Sequence, residues 1–404
     1  METDNLFFEL LQVAIGRRTK FSCTPNEGQW EQIYELCLKH GLLGIGYIGI
    51  SKIPQEQSPA TELLVKFVHD SLCAQKQNQE VTAHCQELTR KFEEKGYWNI
   101  VLKGQSNIEN YVIYNNNKPV NIGEYRASGD IDVWLVPKGH NLKGHRIKPV
   151  VEFSLKLAHN AGIPKPRVRY NHVKLANIWN EEVEIHYRPS FLSSPWRNWR
   201  LQKWFEANSL DAPRHWESIP VPTNKFNAIY QLTHIHRHIF EDGIGLRQLL
   251  DYYFVLRNTD QCNHAEIYNA ISQFGMKTLA SAIMWILAYI FEPYPINGAN
   301  KLVLTDWKKQ WSWMICQPNE KEGRFLLNEI MMAGNFGIYD NRITRSVKFQ
   351  VFGIHFSLPT KLLHAEQKTK HNLNLLRHYP EEVLWEPVFR FYHYIWRTLK
   401  LWKY

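Results

Sequence analysis

The chain has 404 residues, of which 44% are apolar, 22% charged and 13% aromatic. This composition is typical of a folded globular protein with two or three structural units and excludes wholesale disorder. The six cysteines form no CxxC pair, so neither a disulfide framework nor a structural zinc site is indicated, and a reducing cytoplasmic location is expected. The longest uncharged apolar run, residues 278–291, is shorter than the roughly 20 residues that cross a bilayer, and the N-terminus lacks the pattern of a secretory signal.

Basic residues outnumber acidic ones by 48 to 39, which gives a net charge of +9. This balance favours anionic ligands, among them nucleotides, nucleic acid and acidic membrane surfaces. The sequence has no dense block of lysine and arginine, so it carries no strong nucleic-acid signal. A mildly basic enzyme without a polyanionic partner is the other interpretation of the same charge.

Residues 1–95 are predicted to form an N-terminal helical region. Apolar residues recur there at helical spacing. The stretch from Ala60 to Lys95 has neither glycine nor proline, which favours one long amphipathic helix ended by Gly96. Segment 41–54, which contains several glycines and a proline, is predicted to be rich in turns.

Residues 96–193 have a different pattern, which indicates a compact unit of strands and one helix. Short apolar runs at 98–104 and 130–136 predict two buried strands. Residues 172–189 predict a hairpin, and residues 150–162 predict a helix before it.

Residues 194–404 return to helical patterns and form the third predicted region. The sequence therefore predicts an α+β fold in which a mixed β-sheet is flanked by N-terminal and C-terminal helical regions. A loop with a short hairpin is predicted over 334–358. The predicted helices of this region are 225–240, 246–257, 264–275, 278–291, 301–333 and 380–404.

The acidic pair Asp130 and Asp132 opens the second predicted strand. Alternate residues of a strand face the same side about 6.5–7 Å apart, so these two carboxylates face one way while Ile131 and Val133 face a core. Two such carboxylates suit Mg²⁺ or Mn²⁺, which bind through oxygen ligands and also contact substrate phosphates. The other interpretation is a pair of acids at a strand edge without a ligand.

Glu184 and His186 share one face of the later strand, while Val183 and Ile185 share the other. If this strand neighbours residues 130–136, Glu184 becomes the third carboxylate of a two-cation site. His186 is then expected to orient a carboxylate. A solvated strand face is the other interpretation of Glu184.

Two short segments upstream of the acids suggest contacts with phosphate. Lys103 and Gly104 end the first predicted strand, where a glycine lets backbone N–H groups approach a phosphate and the lysine adds charge; a simple turn is the alternative. Arg126, Ser128 and Gly129 lead directly into the acidic pair. Arg126 is expected either to bind a nucleotide phosphate or to pair with the acids.

Together, the segments LKG, RxxGDIDVWLV and VEIHYRP resemble the motifs of the nucleotidyltransferase superfamily with the DNA polymerase β-like core, and most closely an uncharacterised bacterial group within it. The resemblance spans roughly residues 5–260 and is strongest over 99–190. It implies a mixed sheet that carries Asp130, Asp132 and Glu184 as metal ligands and catalytic residues. The nucleotide contacts that it implies involve Lys103, Gly104, Arg126, Ser128, Gly129 and His186.

The reaction implied by this resemblance is the transfer of a nucleotidyl group from a nucleoside triphosphate (NTP), with Mg²⁺ or Mn²⁺ as cofactor. The acceptor is not identified by the sequence, and Glu184 is either a cation ligand or the base that activates the acceptor. Gly104 is followed by Gln105 where the superfamily usually has Gly-Ser or Gly-Gly. A catalytically silent protein that keeps the fold and binds a nucleotide or a partner is therefore the alternative.

Two pairs of residues on predicted helices also have the spacing of neighbours on one face. His234 and His238 could bind zinc if a third ligand were supplied; packing in a core or contact with the acceptor is the other interpretation. Arg247 and Asp251 are expected to form an ion pair on a helix surface.

The C-terminal segment 388–404 is predicted to be an amphipathic helix. Docking of this helix on its own protein is expected, and a weak peripheral contact with an anionic membrane is the alternative. A helical wheel gives a basic side with Arg390, His393, Arg397, Lys400 and Lys403, and an apolar side with Phe391, Tyr392, Ile395, Leu399 and Trp402.

Overall fold

A computed structural model describes residues 2–115, 117–138, 147–164, 166–179, 181–208, 214–241, 243–293, 307–334, 348–351, 354–357 and 373–403. In these ranges helices precede and follow a mixed β-sheet, which confirms the predicted α+β class. The chain begins with helices α1 (Glu2–Ala14), α2 (Glu27–His40), α3 (Leu43–Ile50) and α4 (Thr61–Glu94).

The prediction that segment 41–54 is rich in turns is wrong, because most of it forms helix α3. Its glycines permit close packing against neighbouring backbone. A Cβ atom at Gly44 would lie 2.2 Å from the carbonyl oxygen of Tyr125, and one at Gly49 would lie 2.6 Å from a side-chain carbon of Leu10. Glycine lowers helix propensity by roughly 1 kcal/mol, yet only glycine fits these contacts.

Helix α4 is the single long helix that the sequence predicts. The chain reverses immediately after it at Gly96, whose φ of 80° is the left-handed conformation that glycine adopts at little cost. The helix buries Val81, Cys85, Leu88 and Phe92 against the sheet.

The central sheet has five strands: β1 (Tyr97–Val101), β4 (Ile131–Pro137), β5 (Arg167–Val168), β6 (His172–Ile178) and β7 (Glu181–His186). Their order is β1–β4–β7–β6–β5. The β4–β7 pair is parallel, and the other pairs are antiparallel. The predicted hairpin over 172–189 is confirmed as β6 and β7. Two small hairpins stand apart from this sheet, β2 (Val112–Asn115) with β3 (Lys118–Asn121) and β8 (Arg214–Trp216) with β9 (Ile219–Val221).

The register of β4 and β7 decides which side chains meet. Ile131 lies beside Val183 and Val133 beside Ile185, and these residues are buried in a core shared with α4 and α6 (Ile147–Asn160). The residues between them, which include Asp132 and Glu184, therefore face the opposite side of the sheet. This is the alternation that the sequence predicts.

The remaining helices are α5 (Gln105–Ile108), α7 (Pro195–Asn208), α8 (Asn224–Glu241), α9 (Leu246–Arg257), α10 (His264–Gln273), α11 (Lys277–Phe291), α12 (Trp307–Gln310), α13 (Glu320–Ala333) and α14 (Pro380–Thr398). Helices from both ends of the sequence share one apolar core, which includes residues of α1, α9 and α11. Within the described ranges, no helix has the length and apolar character needed to cross a bilayer.

The predicted helix over 301–333 is only partly correct. Residues 301–306 lie outside the described ranges, and irregular backbone separates α12 from α13. Pro318 cannot donate a backbone hydrogen bond, and the side chain of Asn319 accepts one from the backbone N–H of Glu322, so α13 begins with its own N-cap. Farther on, a hairpin of β10 (Lys348–Val351) and β11 (Ile354–Ser357) lies within the predicted loop segment, while 335–347, 352–353 and 358 are outside the described residues.

Candidate active site

The structure brings the three predicted carboxylates to one face of the sheet. Asp132 and Glu184 are direct neighbours on the parallel strands β4 and β7. The exposed fraction is 0% for Asp132 and 8% for Glu184. Asp130 precedes β4 and lines the same cleft as Glu184. Buried carboxylates are costly unless they are paired or hold a cation, so three of them in one place need an explanation.

The cleft beside these acids encloses about 770 Å³. Strands β6 and β7, the turn before β6, helix α8 and helix α14 contribute to its walls, and lysines and arginines slightly outnumber aspartates and glutamates there. The titratable residues of its lining are Lys103, Asp130, Arg169, His172, Lys174, Glu182, Glu184, His236, Arg237, His238, Glu386, Arg390 and His393, with Tyr170 at the edge.

Lys103 lies at the base of the cleft, with its Nζ 3.0 Å from Asp132 Oδ2. Burial alone would lower the pKa of Lys103, but the charges of Asp132, Asp130 and Glu184 raise it instead. The ammonium therefore stays charged and compensates part of the negative charge of the acids. This position fits the expectation that Lys103 serves an anionic ligand.

His186 contacts two of the acids. Its Nε2 lies 2.9 Å from Asp132 Oδ1 and 3.5 Å from Glu184 Oε2, and its Nδ1 lies 3.2 Å from the carbonyl oxygen of Arg188. Burial opposes the imidazolium, but the hydrogen bonds with Asp132 and Glu184 outweigh it and raise the pKa of His186. The placement agrees with the expectation that His186 orients a carboxylate.

His172 is a site residue that sequence reasoning missed. It lies opposite His186 in the hairpin, and its Nδ1 is 3.4 Å from Glu184 Oε2. Burial lowers the pKa of His172 well below its ordinary value, against the attraction of Glu184. The pairing register of the predicted hairpin was the available signal, because it places position 172 on the same face as position 186.

We call Lys103, Asp130, Asp132, His172, Glu184 and His186 the cleft cluster. Its acids differ in their protonation. Burial raises the pKa of Asp130 to about 6, with Lys103 opposing the shift and Asp132 and Glu184 adding to it. Burial alone would also raise the pKa of Glu184, yet the imidazoles of His172 and His186 and the ammonium of Lys103 hold it well below its ordinary value.

Arg126 occupies neither of the positions expected from the sequence. Its Nε and one terminal nitrogen donate to the two oxygens of Asp251 at 2.6 and 2.7 Å, and Tyr111 donates to the same carboxylate at 2.6 Å. The third guanidinium nitrogen donates to the carbonyl oxygen of Ala127 at 3.0 Å. We call Tyr111, Arg126 and Asp251 the Arg126 cluster. Each nitrogen of the guanidinium donates one of these hydrogen bonds, and Arg126 is not among the described residues that line the cleft.

The expected surface pair between Arg247 and Asp251 is wrong, because both residues are buried and Asp251 binds Arg126 instead. Arg247 donates to the carbonyl oxygens of Ala127 and Ser128 at 2.9 and 3.1 Å. The hydroxyl of Ser128 donates to Asn78 Oδ1 at 2.7 Å. Ser128 and its neighbours thus anchor the loop that leads to Asp130.

Gly129 and Gly104 can affect the site only through their backbone conformation and the space left by the missing side chain. A Cβ at Gly129 would lie 3.5 Å from a guanidinium nitrogen of Arg247. Gly104 has a φ of 70° and has open space at its Cβ position. The residues that follow Gly104, Gln105 to Asn107, are buried, and Gln105 donates to Asn78.

His234 and His238 pack within α8, with ring centroids 4.4 Å apart. Among the described residues, neither belongs to the group of three or more potential metal ligands, which consists of His172, Glu184 and His186. Burial lowers the pKa of both α8 histidines well below the ordinary value. His234 is therefore packed in the core, whereas His238, although buried, also contributes to the lining of the cleft.

Helix α14 packs on the protein, but not through the face that the sequence predicts. Trp396 and Trp402 are buried, and Phe389 stacks on Phe191 with ring centroids 4.8 Å apart. Phe391 and Leu399, which were assigned to the docking side, are 67% and 61% exposed.

The five-stranded mixed sheet flanked by helices is that of a nucleotidyltransferase-type α+β protein. A family described as uncharacterised nucleotidyltransferase matches residues 26–292, more than half of the chain, and the protein belongs to that family. The match covers the whole cleft cluster and ends before α14. No curated protein and no solved structure matches the chain.

Proposed function

We propose that this protein transfers a nucleotidyl group from an NTP to an acceptor, with Mg²⁺ or Mn²⁺ as cofactor. The observation that carries the proposal is the in-register pair Asp132 and Glu184, with Asp130 beside it, at the base of a cleft that is lined by both basic and acidic side chains. Membership of the family supports the reaction class. Neither the acceptor nor the preferred base follows from the geometry.

The chemistry of the donor set fits a hard divalent cation. Carboxylate oxygens are the ligands that Mg²⁺ and Mn²⁺ prefer, and Asp130, Asp132 and Glu184 offer several of them in one place. Asp132 Oδ2 is buried and accepts no hydrogen bond from the described residues, although Lys103 Nζ lies close to it. These three acids would hold the cofactor. When bound, it would neutralise charge on the triphosphate and assist departure of pyrophosphate.

The cleft walls supply the contacts that an NTP needs. Lys103, Arg169, Lys174 and Arg390 place positive charge around the acids and would attract the phosphates. Aromatic rings at the cleft, such as Phe389, offer surfaces on which a base can stack.

In the proposed reaction, an oxygen of the acceptor forms a bond to the α-phosphorus. The bond from that phosphorus to the oxygen bridging to the β-phosphate breaks, and pyrophosphate leaves. A hydroxyl acceptor loses its proton to a base. Glu184, which lines the cleft beside the other two acids, acts either as a ligand of the cofactor or as this base.

The test is to incubate the protein with NTPs labelled at the α-phosphate, Mg²⁺ or Mn²⁺ and fractionated cell extract. We expect label to enter one class of acceptor with release of pyrophosphate. Asp132→Asn should abolish both signals. Glu182→Gln is the matched control, because Glu182 lines the same cleft but pairs with Lys174. Equal transfer by Asp132→Asn would refute the proposed site.

The alternative of a catalytically silent nucleotide-binding protein is favoured by one observation. Gln105, Ser106 and Asn107, which follow Gly104, are buried and are not among the described residues that line the cleft, whereas a Gly-Ser phosphate loop presents its serine hydroxyl to the phosphate. That alternative predicts stabilisation by Mg²⁺ and NTP without pyrophosphate release in any fraction.

A further inference from the structure

Two imidazoles face one carboxylate at the base of the cleft. His172 comes from β6, whereas Glu184 and His186 come from β7, and the hairpin register places the two histidines opposite each other. Each of the three residues is buried and offers a ligand atom, and these atoms all lie within 4.8 Å of one another. Glu184 and His172 line the cleft, so a solute can reach the group.

The spacing of the donor atoms matches a coordination sphere. Glu184 Oε2 is 3.4 Å from His172 Nδ1 and 3.5 Å from His186 Nε2, and Asp132 Oδ1 is 2.9 Å from His186 Nε2. With bonds of about 2.0–2.2 Å, neighbouring ligands of a four-coordinate zinc ion lie about 3.3–3.5 Å apart. Two of these three distances fall at that value, and the third is somewhat shorter.

The imidazole nitrogens of both histidines are directed at the carboxylates. His186 Nδ1 lies 3.2 Å from the carbonyl oxygen of Arg188 and 3.3 Å from the side-chain amide nitrogen of Asn171, and its Nε2 lies towards Asp132 and Glu184. His172 Nδ1 is buried and has no hydrogen-bond partner among the described residues. Two carboxylates and two imidazole nitrogens that meet in a buried place are stabilised by positive charge, either an extra proton or a cation. A histidine whose other nitrogen donates to a carbonyl is also the usual arrangement of a metal ligand.

We propose that His172, Glu184 and His186 bind a divalent cation of the Zn²⁺ class, which accepts nitrogen ligands. Imidazole nitrogens suit zinc and its neighbours in the transition series, whereas Mg²⁺ prefers oxygen. This inference rests on the same cleft as the proposed function and deepens it. The cleft would hold a zinc-class ion on its histidine side in addition to the oxygen-bound cofactor beside Asp130, with Glu184 between the two.

The test measures Zn²⁺ binding to chelator-stripped full-length protein by isothermal titration calorimetry, without nucleotide. We expect one Zn²⁺ per chain, bound in the presence of excess Mg²⁺. His172→Phe keeps the volume of the ring and removes its nitrogens, so affinity should fall roughly tenfold or more. His393→Phe is the matched control, because His393 lines the same cleft outside the ligand group, and its affinity should equal that of the wild type.

His172→Asn provides a second variant if His172→Phe does not unfold cooperatively. Any of three results would overturn the inference: no Zn²⁺ binding by the wild type, displacement of Zn²⁺ by Mg²⁺, or unchanged affinity in the folded His172 variant. The positive charge between the carboxylates and imidazoles would then be an extra proton on His186. Asp130→Asn should lose stabilisation by Mg²⁺ and NTP but keep Zn²⁺ binding. Failure of Zn²⁺ binding with nucleotide stabilisation intact would refute this inference alone, and the reverse result would refute the proposed function alone.

Discussion

The Arg126 cluster and the cleft cluster are both built from buried charged side chains, but they differ in what remains unpaired. In the Arg126 cluster, every guanidinium nitrogen donates and both oxygens of Asp251 accept. In the cleft cluster, His172 Nδ1 has no hydrogen bond among the described residues, and Asp132 Oδ2 has only the ion-pair contact with Lys103 Nζ at 3.0 Å. Complete pairing is typical of buried charge that holds a fold together, whereas unpaired acceptors at a cleft indicate a site for a ligand.

The largest effect on stability is expected from breaking the Arg126 cluster. Arg126→Met leaves the carboxylate of Asp251 buried without its cation and should lower the free energy of unfolding by about 3–5 kcal/mol. Arg90→Met is the matched control, since Arg90 forms an exposed helical pair with Glu94 and should cost less than about 1 kcal/mol. Denaturant unfolding of both variants measures the difference. Equal small losses would show that the Arg126 cluster does not support the fold.

Asp132→Asn should act on activity rather than on the fold. Loss of one electrostatic contact to the reacting groups commonly lowers turnover about 10²–10³-fold, and Asp132 is the most deeply buried acid of the cleft. Pyrophosphate release measures the loss, and a cooperative melt shows that the variant is folded. An inactive variant that is also unfolded would place Asp132 in the same structural class as Asp251.

Helix α14 forms a wall of the cleft, although it lies outside the segment that the family matches, and its packing on the protein can be tested directly. Trp396→Ala removes a buried ring and should lower the free energy of unfolding by about 2–3 kcal/mol. Phe391→Ala is the control on the same helix, since Phe391 is mostly exposed, and it should change stability by less than about 0.5 kcal/mol. Thermal melts of both variants provide the measurement. Similar losses in the two variants would contradict the docking face described above.

The exposed apolar residues of α14 are consistent with the alternative that this helix makes a weak contact with an anionic membrane. Leu384, Val388 and Phe391 lie on the outside of this helix. A weak peripheral contact predicts binding to anionic vesicles that falls with added salt and with Phe391→Ala. Absence of vesicle binding at low salt would remove this alternative.

The smallest effect is expected at Asp130, and it has the opposite sign. Because burial raises the pKa of Asp130 to about 6, the folded state holds its proton more tightly than the unfolded chain does. The stability that this provides is fully present below the unfolded pKa and is lost as pH rises through about 6. In chelator, Asp130→Asn should therefore stabilise the protein at pH 7, and the gain should disappear near pH 4. Asp251→Asn, the same substitution in the Arg126 cluster, should destabilise the protein at pH 7.

Local patterns were sufficient to predict the sheet and its acids. Alternation along Ile131–Val136 and Val183–Tyr187 assigns Asp132 and Glu184 to the face away from the core. The partner of Arg126 could not be predicted in this way, because Asp251 is distant in the sequence and its helical neighbour Arg247 is an equally good local candidate. His172 required the register of the hairpin in addition to its strand pattern.

The helical wheel of the C-terminal segment failed for a physical reason. Helix α14 ends at Thr398, and Lys400 has a φ of 51°, which turns the chain before Trp402 enters a short 3-10 turn. A wheel extended through Trp402 therefore assigns that residue to the wrong phase relative to Phe391. The turn prediction for segment 41–54 failed for a different reason. Its glycines lie at close contacts of helix α3, and in a single sequence glycines at such contacts look the same as glycines of a turn.

The most direct test of the cleft cluster is the unfolding temperature of the wild type and of the Asp130→Asn/Asp132→Asn double variant, with and without Mg²⁺ and an NTP. A ligand that binds the native state alone raises this temperature in proportion to its free energy of binding. We predict a rise in the wild type that requires the cation, and no cation-dependent rise in the double variant, whatever its starting stability. An equal rise in both proteins would show that these carboxylates are not the binding site.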